Sequence, residues 1–402
     1  MAFFVTLFSR IVEFCEKPGN KAFRTFLVAS IACLSLLPSA HSVAGTDRLQ
    51  LPAIPSALAS RSLLLDMTRT AERLYAVGER GHIIYSNDQG NSWQQASVPV
   101  SVSLTAIDFA DADHGWAVGH DGVILASDDG GLHWSKQLDG LRVNQALVDL
   151  YQDARDKLSN QLQQAESNGA DVEVLQEQLE LLEIAYEDAL IAQEEGPTKP
   201  FLDVLFVDKK VGWAIGAYGL IFETRDGGQQ WLPKMLALDN PDGFHLNSML
   251  RTQRGELLIA GEAGILFRSE DLGKSWQRLE SPYDGSFYSL VEIQPAATLL
   301  VVGLRGRAFS SNDRGEHWQT VNSATRSTLS AAKQLSNGEL ILAGNGGAIS
   351  VSGDGGEGFV HYIQPERRGF TALVETADGH LVLAGQGGIT RLSRQQLGKS
   401  AQ

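Results

Sequence analysis

Apolar and polar positions alternate in short runs along most of this chain. The run from Leu104 to Phe109 alternates with a period of two, and two short apolar runs follow, from Gly115 to Gly119 and from Gly122 to Ala126. Such alternation is typical of half-buried strands, and short apolar runs bounded by glycine are typical of buried ones. With a further strand opening at Trp134, this stretch predicts four short strands within about forty residues.

Two motifs repeat in phase with this strand pattern. The first is Ser/Thr-x-Asp-x-Gly-x-x-Trp, the Asp-box, which occurs six times. In the sixth copy Phe359 replaces the tryptophan. Its aspartates are Asp88, Asp129, Asp226, Asp271, Asp313 and Asp354, and its tryptophans are Trp93, Trp134, Trp231, Trp276 and Trp318. The second motif, Gly-x-x-Gly, begins fifteen residues before each of these aromatic residues and occurs a seventh time at Gly385. We expect the aspartate to close a turn by accepting backbone N–H groups, and the aromatic ring to wedge between sheets.

Four-stranded units that recur at this interval indicate a β-propeller, because one unit alone cannot bury both of its faces. Successive Gly-x-x-Gly motifs lie 41, 97, 45, 42, 41 and 41 residues apart, and the interval of 97 holds one unit plus an insertion. The predicted fold class is therefore all-β, a seven-bladed β-propeller with Asp-box turns and an inserted α-helical hairpin. Blades one and two, with an N-terminal closing strand, are assigned to residues 45–136, and blades three to seven to residues 200–395.

The ends of the chain are predicted to close the ring. The seventh unit holds three strands, the last at residues 389–392. Residues 49–59 precede the first strand of blade one and are expected to supply the missing fourth strand, which would leave no open sheet edge.

Residues 137–199 interrupt the repeats with apolar positions at helical spacing, which predicts two helices of about 20 residues paired as a hairpin. The segment holds fourteen acidic and four basic residues, a net charge of −10. It joins the last strand of blade two to the first strand of blade three, so it is expected on the same rim as the Gly-x-x-Gly turns. Two interpretations stay open, a solvated helical face and an arm that docks a partner.

The first 44 residues have the features of a signal peptide. Lys17, Lys21 and Arg24 precede an apolar run at residues 26–37, and small residues at 42–44 offer a cleavage site near Ala44. The run is too short to cross a bilayer, so we expect export to a periplasm or a compartment like the thylakoid lumen, with no membrane span in the mature chain. Both cysteines lie inside this segment, so a mature chain without it would contain no disulfide or thiolate metal site.

The charge of the chain argues against a nucleic-acid partner. The formal net charge is −15, and removal of residues 1–44 with their four basic and two acidic side chains changes it to −17. A surface this acidic repels phosphate groups.

The two middle residues of the Gly-x-x-Gly motifs vary from unit to unit, and a constant scaffold with variable loop tips is typical of a binding surface. The residues expected to form one partner-binding rim are Arg80, His120, Asp121, Tyr218, Glu262 and Arg305. The sequence contains no nucleophile elbow, no phosphate-binding loop before a helix and no His or carboxylate cluster with metal-ligand spacing. It therefore predicts no catalytic residue, no cofactor and no metal site.

Two stretches resemble the repeat of a known family. The runs from Gly115 to Trp134 and from Gly212 to Trp231 are similar to the unit of the photosystem II stability/assembly factor family, whose members are exported seven-bladed propellers. The resemblance covers residues 60–392 apart from the hairpin. It implies a non-enzymatic protein that binds a membrane protein complex and aids its assembly or stability. It also implies a basic patch on the propeller, whereas Arg80, Arg305 and Arg307 stand in two distant parts of this sequence.

Besides a secreted structural or adhesion module, two alternative functions remain open from the sequence. Asp-boxes also occur in sialidase-like glycoside hydrolases, in which three arginines clamp a carboxylate beside a Tyr/Glu pair. Arg80, Arg305, Tyr218 and Glu262 are the residues of this chain that would have to take such roles. The second alternative is a periplasmic accessory protein of a resistance-nodulation-division type transporter.

Overall fold

A computed structural model describes residues 47–399, so the predicted signal peptide and its cysteines lie outside the described residues. The described strands form seven antiparallel sheets, each made of strands consecutive in sequence. Sheets 1 to 3 comprise β1 Leu64–Arg69, β2 Leu74–Gly78, β3 Ile83–Ser86 and β4 Gln94–Gln95; β5 Leu104–Phe109, β6 Gly115–Gly119, β7 Ile124–Ser127 and β8 Ser135–Leu138; and β9 Phe201–Phe206, β10 Gly212–Gly216, β11 Ile221–Thr224 and β12 Leu232–Pro233. Sheets 4 and 5 comprise β13 Leu246–Arg251, β14 Leu257–Gly261, β15 Leu266–Ser269 and β16 Gln277–Arg278; and β17 Phe287–Ile293, β18 Thr298–Gly303, β19 Ala308–Ser311 and β20 Gln319–Val321. Sheets 6 and 7 comprise β21 Leu329–Gln334, β22 Leu340–Gly344, β23 Ala348–Ser352 and β24 Val360–Ile363; and β25 Phe370–Glu375, β26 Leu381–Gly385 and β27 Thr390–Leu392.

The sheets are arranged as the blades of a closed ring. The first strand of each sheet contacts the first strand of the next, and β25 of sheet 7 contacts β1 of sheet 1. The predicted seven-bladed propeller with an inserted helical hairpin is confirmed.

The core consists of seven apolar clusters, one between each pair of neighbouring sheets. Each Asp-box aromatic residue packs in the cluster between its own sheet and the preceding one. Trp134 of sheet 2, for example, lies against Tyr75 and Val77 of sheet 1, and Phe359 of sheet 6 lies against Ile293 of sheet 5. The flat rings thus fill the wedge-shaped space between twisted sheets that fan out from an axis.

The Asp-box turn is held by one hydroxyl and one carboxylate. In the first box the Ser86 hydroxyl donates to Asp88 Oδ1 at 2.8 Å and accepts the Gly90 N–H at 2.8 Å. Asp88 Oδ1 also accepts the Ser92 N–H, four residues ahead, at 2.8 Å. The turns of the other boxes repeat these bonds with Ser or Thr as the hydroxyl.

The predicted closure by an N-terminal fourth strand is wrong. Among the described residues, sheet 7 has three strands. The end of the segment before β1 contacts sheet 7, where the Ile389 N–H donates to Ser60 O at 2.9 Å, but its earlier part lies elsewhere. Ala53 N–H donates to Val98 O at 3.0 Å and Ser101 N–H donates to Arg48 O at 2.9 Å, so this segment runs along the connection between sheets 1 and 2. Sheet 1 instead packs directly on sheet 7, where Leu64 and Met67 share a cluster with residues of β25 and β26. Burial of these apolar faces closes the ring without a shared strand.

The insertion forms two paired helices, α1 (Gly140–Ser167) and α2 (Glu173–Glu195), and a short third helix, α3 (Arg394–Lys399), follows β27. Asp139 caps α1 by accepting the Arg142 N–H at 3.3 Å. At the base of the hairpin, Val143 and Leu147 of α1 and Ala189 of α2 are buried in the cluster between sheets 2 and 3. The base is therefore part of the propeller core, whereas the outer turns of both helices have no residue with a fully buried side chain.

Candidate functional site

The Gly-x-x-Gly motifs form seven tight turns on one rim of the ring, between the second and third strands of each sheet. Each motif requires its first glycine because a Cβ there would clash with a backbone oxygen. At Gly78, for example, the Cβ would lie 2.1 Å from Leu63 O. The last glycine has a positive φ, 72° at Gly81. In six of the seven motifs the residue before it is also left-handed, with φ of 58° at Arg80, 56° at Asp121 and 57° at Tyr218. These conformations disfavour most side chains and hold the loop tips in a fixed outward geometry.

The hairpin leaves from this same rim. The first residue of α1, Gly140, packs against the turn at Asp121 so closely that a Cβ on Gly140 would lie 2.6 Å from Asp121 O. The Asp-boxes lie on the opposite rim, beside the turns that join the first and second strands. Two bonds show this: the Gly130 N–H of one box donates to Asp113 O and the Gly227 N–H of another donates to Lys210 O, both at 2.9 Å. The rim with the Gly-x-x-Gly turns is thus free of the structural boxes.

The six residues predicted for the rim lie on five different sheets. Tyr218 and Glu262 are brought together by His245, whose ring centroid is 5.2 Å from that of Tyr218 and whose Nδ1 is 3.8 Å from Glu262. Lys199 Nζ lies 5.8 Å from the Tyr218 ring. Asp121 forms an ion pair with Arg48 at 3.1 Å. Arg80 and Arg305 lie on sheets 1 and 5, away from this group, and His120 is exposed beside Asp121.

The structure gathers arginines that are distant in the sequence. Seven exposed arginines lie along the Gly-x-x-Gly rim over sheets 5, 6, 7 and 1, and we call them the arginine arc. They are Arg61, Arg80, Arg305, Arg307, Arg326, Arg367 and Arg368. The backbone fixes this grouping: a Cβ at Gly306 would lie 3.0 Å from the Arg326 Cα, one at Gly347 would lie 3.1 Å from the Arg367 Cα, and one at Gly388 would lie 2.5 Å from the Arg61 Cα.

The arginine arc is largely free of counter-charges. Within the part of the chain that the structure describes, Arg368 is the one member with an ion pair, to Glu366 at 3.2 Å. Arg61, Glu366 and Arg368 line a cavity of about 500 Å³ with Phe370 and Ile389 at its base. Of the two arginines that line this cavity, Arg61 is unpaired and Arg368 already bonds Glu366. A guanidinium group can bind a carboxylate because it presents several donors in a planar fork. Of the arc, sequence reasoning identified Arg80 and Arg305 as rim residues and noted Arg307, but it missed the other four because no motif marks them.

The opposite half of the rim is acidic and partly apolar. It carries the hairpin and the connection between sheets 3 and 4, which includes Asp239 and Asp242. The two halves therefore give the rim opposite charges in a chain that is acidic overall.

The central channel contains half-buried carboxylates. Asp66 and Asp203 line a cavity of about 500 Å³ among the first strands. Asp66 accepts the Ile107 N–H at 2.9 Å and Asp203 accepts the Met249 N–H at 2.7 Å, so each links its sheet to the next. Burial raises the pKa of Asp66 to about 6, and burial together with the Asp66 charge raises the pKa of Asp203 to about 8.

Residues 47–399 contain no group of three or more His, Cys, Asp or Glu side chains placed to hold a metal ion. The histidines of two Asp-boxes pair with the box carboxylates instead, His133 with Asp129 at 2.6 Å and His317 with Asp313 at 2.7 Å. The contacts of Tyr218 and Glu262 described above involve Lys199 and His245 and no arginine. Among the described helices, none combines the length and the apolar character that a membrane crossing requires.

Comparison with known proteins identifies the family. The family model described as photosynthesis system II assembly factor YCF48 matches residues 91–152 and 191–400, about two thirds of the chain. The chain belongs to this family. Residues 153–190, the outer part of the hairpin, lie outside the match, as do residues 1–90.

Curated members of the YCF48 family match over short stretches. The photosystem II assembly lipoprotein Ycf48 of Synechococcus sp. (strain CC9902) is 40% identical over 79 residues, which cover 19% of this chain and 23% of the relative. The chloroplastic photosystem II stability/assembly factor HCF136 of Oryza sativa subsp. japonica is 33% identical over 87 residues, which cover 21% of each chain. The matched stretches thus span less than a quarter of the length of these relatives.

Solved structures show the same fold. A structure described as YCF48 bound to D1 peptide has a TM-score of 0.57 at 16% identity and covers 84% of this chain and 95% of that one. YCF48 from Cyanidioschyzon merolae has a TM-score of 0.57 at 14% identity, with 83% and 97% covered. The WD40 propeller domain of Doa1 has a TM-score of 0.56 at 9% identity, with 88% and 99% covered.

Proposed function

We propose that this chain is an exported, non-catalytic binding protein that aids the assembly of a membrane protein complex, photosystem II in a photosynthetic host. In this proposal the arginine arc recognises a carboxylate-bearing segment of the client. The observation that carries the proposal is the grouping of seven exposed arginines, six of them without an ion pair in the described chain, on the rim of an otherwise acidic protein. Family membership and the description of a structural neighbour as bound to a D1 peptide support a client of this kind.

Export is supported by the signal-like features of residues 1–44 and by a relative named as a lipoprotein. We place the mature protein in the periplasm or a lumen-like compartment, after cleavage near Ala44. There the rim would face extramembrane segments of a client. The predicted rim residues Arg80 and Arg305 belong to the arc, whereas we assign His120, Asp121, Tyr218 and Glu262 to the acidic half of the same surface.

The test compares two triple variants of the full chain. One replaces Arg61, Arg326 and Arg367 by alanine; the other replaces Lys209, Arg254 and Lys274, which lie exposed on the opposite rim, and so removes the same charge. Binding to overlapping synthetic peptides of the D1 protein is measured by fluorescence anisotropy, and partners that co-purify from membranes are identified by mass spectrometry.

We expect the arc variant to lose at least about tenfold in peptide affinity and the control variant to change by less than about twofold. Equal losses in both variants would show that net charge and not the arc determines binding. Co-purification of a transporter of the resistance-nodulation-division type, with no binding to any D1 peptide, would exclude photosystem II as the client and favour the accessory-protein alternative.

A further inference from the structure

A groove separates the outer face of α2 from the rim of sheet 3, and we call it the hairpin groove. It has a volume of about 490 Å³. One wall is formed by α2 with Leu181 and Ile184, and the other by the connection that follows β12, with Leu236. Tyr218 from the Gly-x-x-Gly turn of sheet 3 also lines it.

The walls of the hairpin groove expose large apolar side chains. Leu181 is 60% exposed, Ile184 58%, Leu236 51% and Tyr218 61%. Apolar side chains that cluster around a concavity, unlike single exposed ones, are typical of a surface that another chain covers. Tyr218 is also held at a φ of 57°, and an exposed aromatic residue on a strained backbone is a suitable anchor for a partner.

The charge of the hairpin groove is negative. Asp188 of α2 and Asp239 and Asp242 of the facing connection line it, and Lys199 is the one cation among its lining residues. Arg278 lies outside the lining and approaches Asp239 at 3.7 Å. A segment with lysine or arginine beside apolar residues would match both the apolar walls and the carboxylates, whereas an acidic segment would be repelled.

The hairpin groove is preformed because its base is rigid. Leu147 and Ala189 are buried in the core beneath it, and the buried Asn144 amide donates to Ala192 O at 2.7 Å and to Gly196 O at 3.0 Å. These bonds fix α2 relative to α1, and the shared apolar cluster holds both helices against sheets 2 and 3, so a ligand does not have to order the helical wall.

We propose that the hairpin groove binds an apolar segment of a partner protein that is flanked by lysine or arginine residues. This site goes beyond the proposed function, because it is separate from the arginine arc and selects the opposite charge. In this proposal the hairpin is a docking arm and not only a solvated helical face. Variants of the arc and of the groove fail independently, so the two proposals are tested separately.

The test begins with a phage-displayed library of random 16-residue peptides selected on the full chain and counter-selected on the double variant Leu181→Ser, Ile184→Ser. We expect selected peptides to combine apolar residues with lysine or arginine. Synthetic copies of the selected peptides should bind the double variant at least about tenfold more weakly than the parent, as measured by fluorescence anisotropy.

Val174→Ser is the matched control, because Val174 is 65% exposed on α2 and does not line the groove. It should change peptide affinity by less than about twofold. The variant Asp188→Asn, Asp242→Asn should weaken binding and flatten its salt dependence between ~0.05 and ~0.5 M.

Three outcomes would overturn the proposal. The first is the absence of peptides that discriminate the double variant from the parent. The second is selection of acidic peptides. The third is self-association through α2, seen by sedimentation velocity as a dimer of the parent that the double variant does not form. Circular dichroism of every variant confirms that lost binding does not reflect lost folding, since the substituted side chains are exposed.

Discussion

At the scale of the residue, the hydroxyl and the carboxylate of each Asp-box close one turn together. In the second box Asp129 Oδ1 accepts the Ser127 hydroxyl and the N–H groups of Leu132 and His133, at 2.9 to 3.0 Å. The Ser127 hydroxyl accepts the Gly131 N–H at 3.0 Å. The turn therefore depends on a charged acceptor that satisfies two backbone donors at once.

Replacement of Asp129 by alanine is expected to lower the free energy of unfolding by about 1 kcal/mol, because the N–H groups of half-buried Leu132 and exposed His133 lose their acceptor. The adjacent Asp128 is exposed and outside this bond network, so Asp128→Ala is the control and should have little effect. Guanidinium denaturation measures the free energy of unfolding of both variants.

Hydrogen bonds with His133, Ser127 and Leu132, opposed by desolvation, lower the pKa of Asp129 to about 2. The stabilisation is therefore complete above the ordinary pKa near ~4 and is lost as the pH falls toward 2. The parent and Asp129→Ala should converge over that range; a constant difference down to pH 2 would contradict the role of the charge.

The channel aspartates have the opposite pH dependence. Because the pKa of Asp203 is raised to about 8 and that of Asp66 to about 6, the folded protein keeps protons that the unfolded chain releases. Their favourable contribution is complete below pH ~4 and is lost as the pH rises toward 8. Asp203→Asn keeps an oxygen that accepts the Met249 N–H but removes the charge. We expect it to melt at a higher temperature than the parent at pH 9 and to approach the parent at pH 4, in differential scanning calorimetry. The exposed Asp242→Asn is the control, and parallel pH profiles for Asp203→Asn and the parent would refute the prediction.

At the scale of the element, the hairpin is joined to the propeller through its base. Asn144 of α1 is 2% exposed and bonds the last turn and the C-cap of α2, so one side chain links both helices beside the core. The paired helices extend outward from there with acidic, exposed surfaces. The element is thus anchored at one end, which positions α2 over the rim of sheet 3.

Asn144→Ala is expected to destabilise the hairpin base by about 1–3 kcal/mol, because two carbonyls lose a buried donor. Hydrogen exchange should increase in residues 140–148 and 189–196 and stay unchanged in sheets 5 and 6. Asn160→Ala, at an exposed position of α1, is the control. Equal protection in the parent and Asn144→Ala would show that apolar packing alone anchors the hairpin.

At the scale of the whole molecule, seven equivalent apolar interfaces hold the ring. Met67 and Met249 both occupy the fourth position of a first strand, and they are 6% and 7% exposed. Met67 packs at the interface that closes the ring between sheets 7 and 1, and Met249 packs between sheets 3 and 4. Because the ring is closed by the same kind of apolar contact that joins the other sheets, we expect both positions to contribute similarly to the stability.

Met67→Ala and Met249→Ala are each expected to cost about 2–5 kcal/mol and to agree within ~1 kcal/mol, with one cooperative unfolding transition in urea. Each variant is the control for the other because the residue type, strand position and burial match. An additional early transition confined to Met67→Ala would mean that the sheet 7 to sheet 1 interface opens separately from the rest of the ring.

The sequence by itself determined the repeat, and with it the strands, the Asp-box turns, the Gly-x-x-Gly turns and the helical hairpin. These features depend on local periodicity and on turn residues a few positions apart, which a single sequence displays directly. The seven in-phase Gly-x-x-Gly motifs also gave the number of blades. They further identified Arg80 and Arg305 as tip residues, because both stand between the glycines of the motif.

Only the tertiary structure decided how distant parts of the chain meet. Ring closure brings Arg61 beside the turn at Gly388, although more than 300 residues separate them, and thereby forms the arginine arc. It also shows that apolar faces, and not a shared strand, join the first and last sheets. The hairpin groove likewise needs α2 and the connection after β12 to face each other. Such contacts arise from packing in three dimensions, and no local periodicity or turn motif in the sequence marks which distant residues will meet.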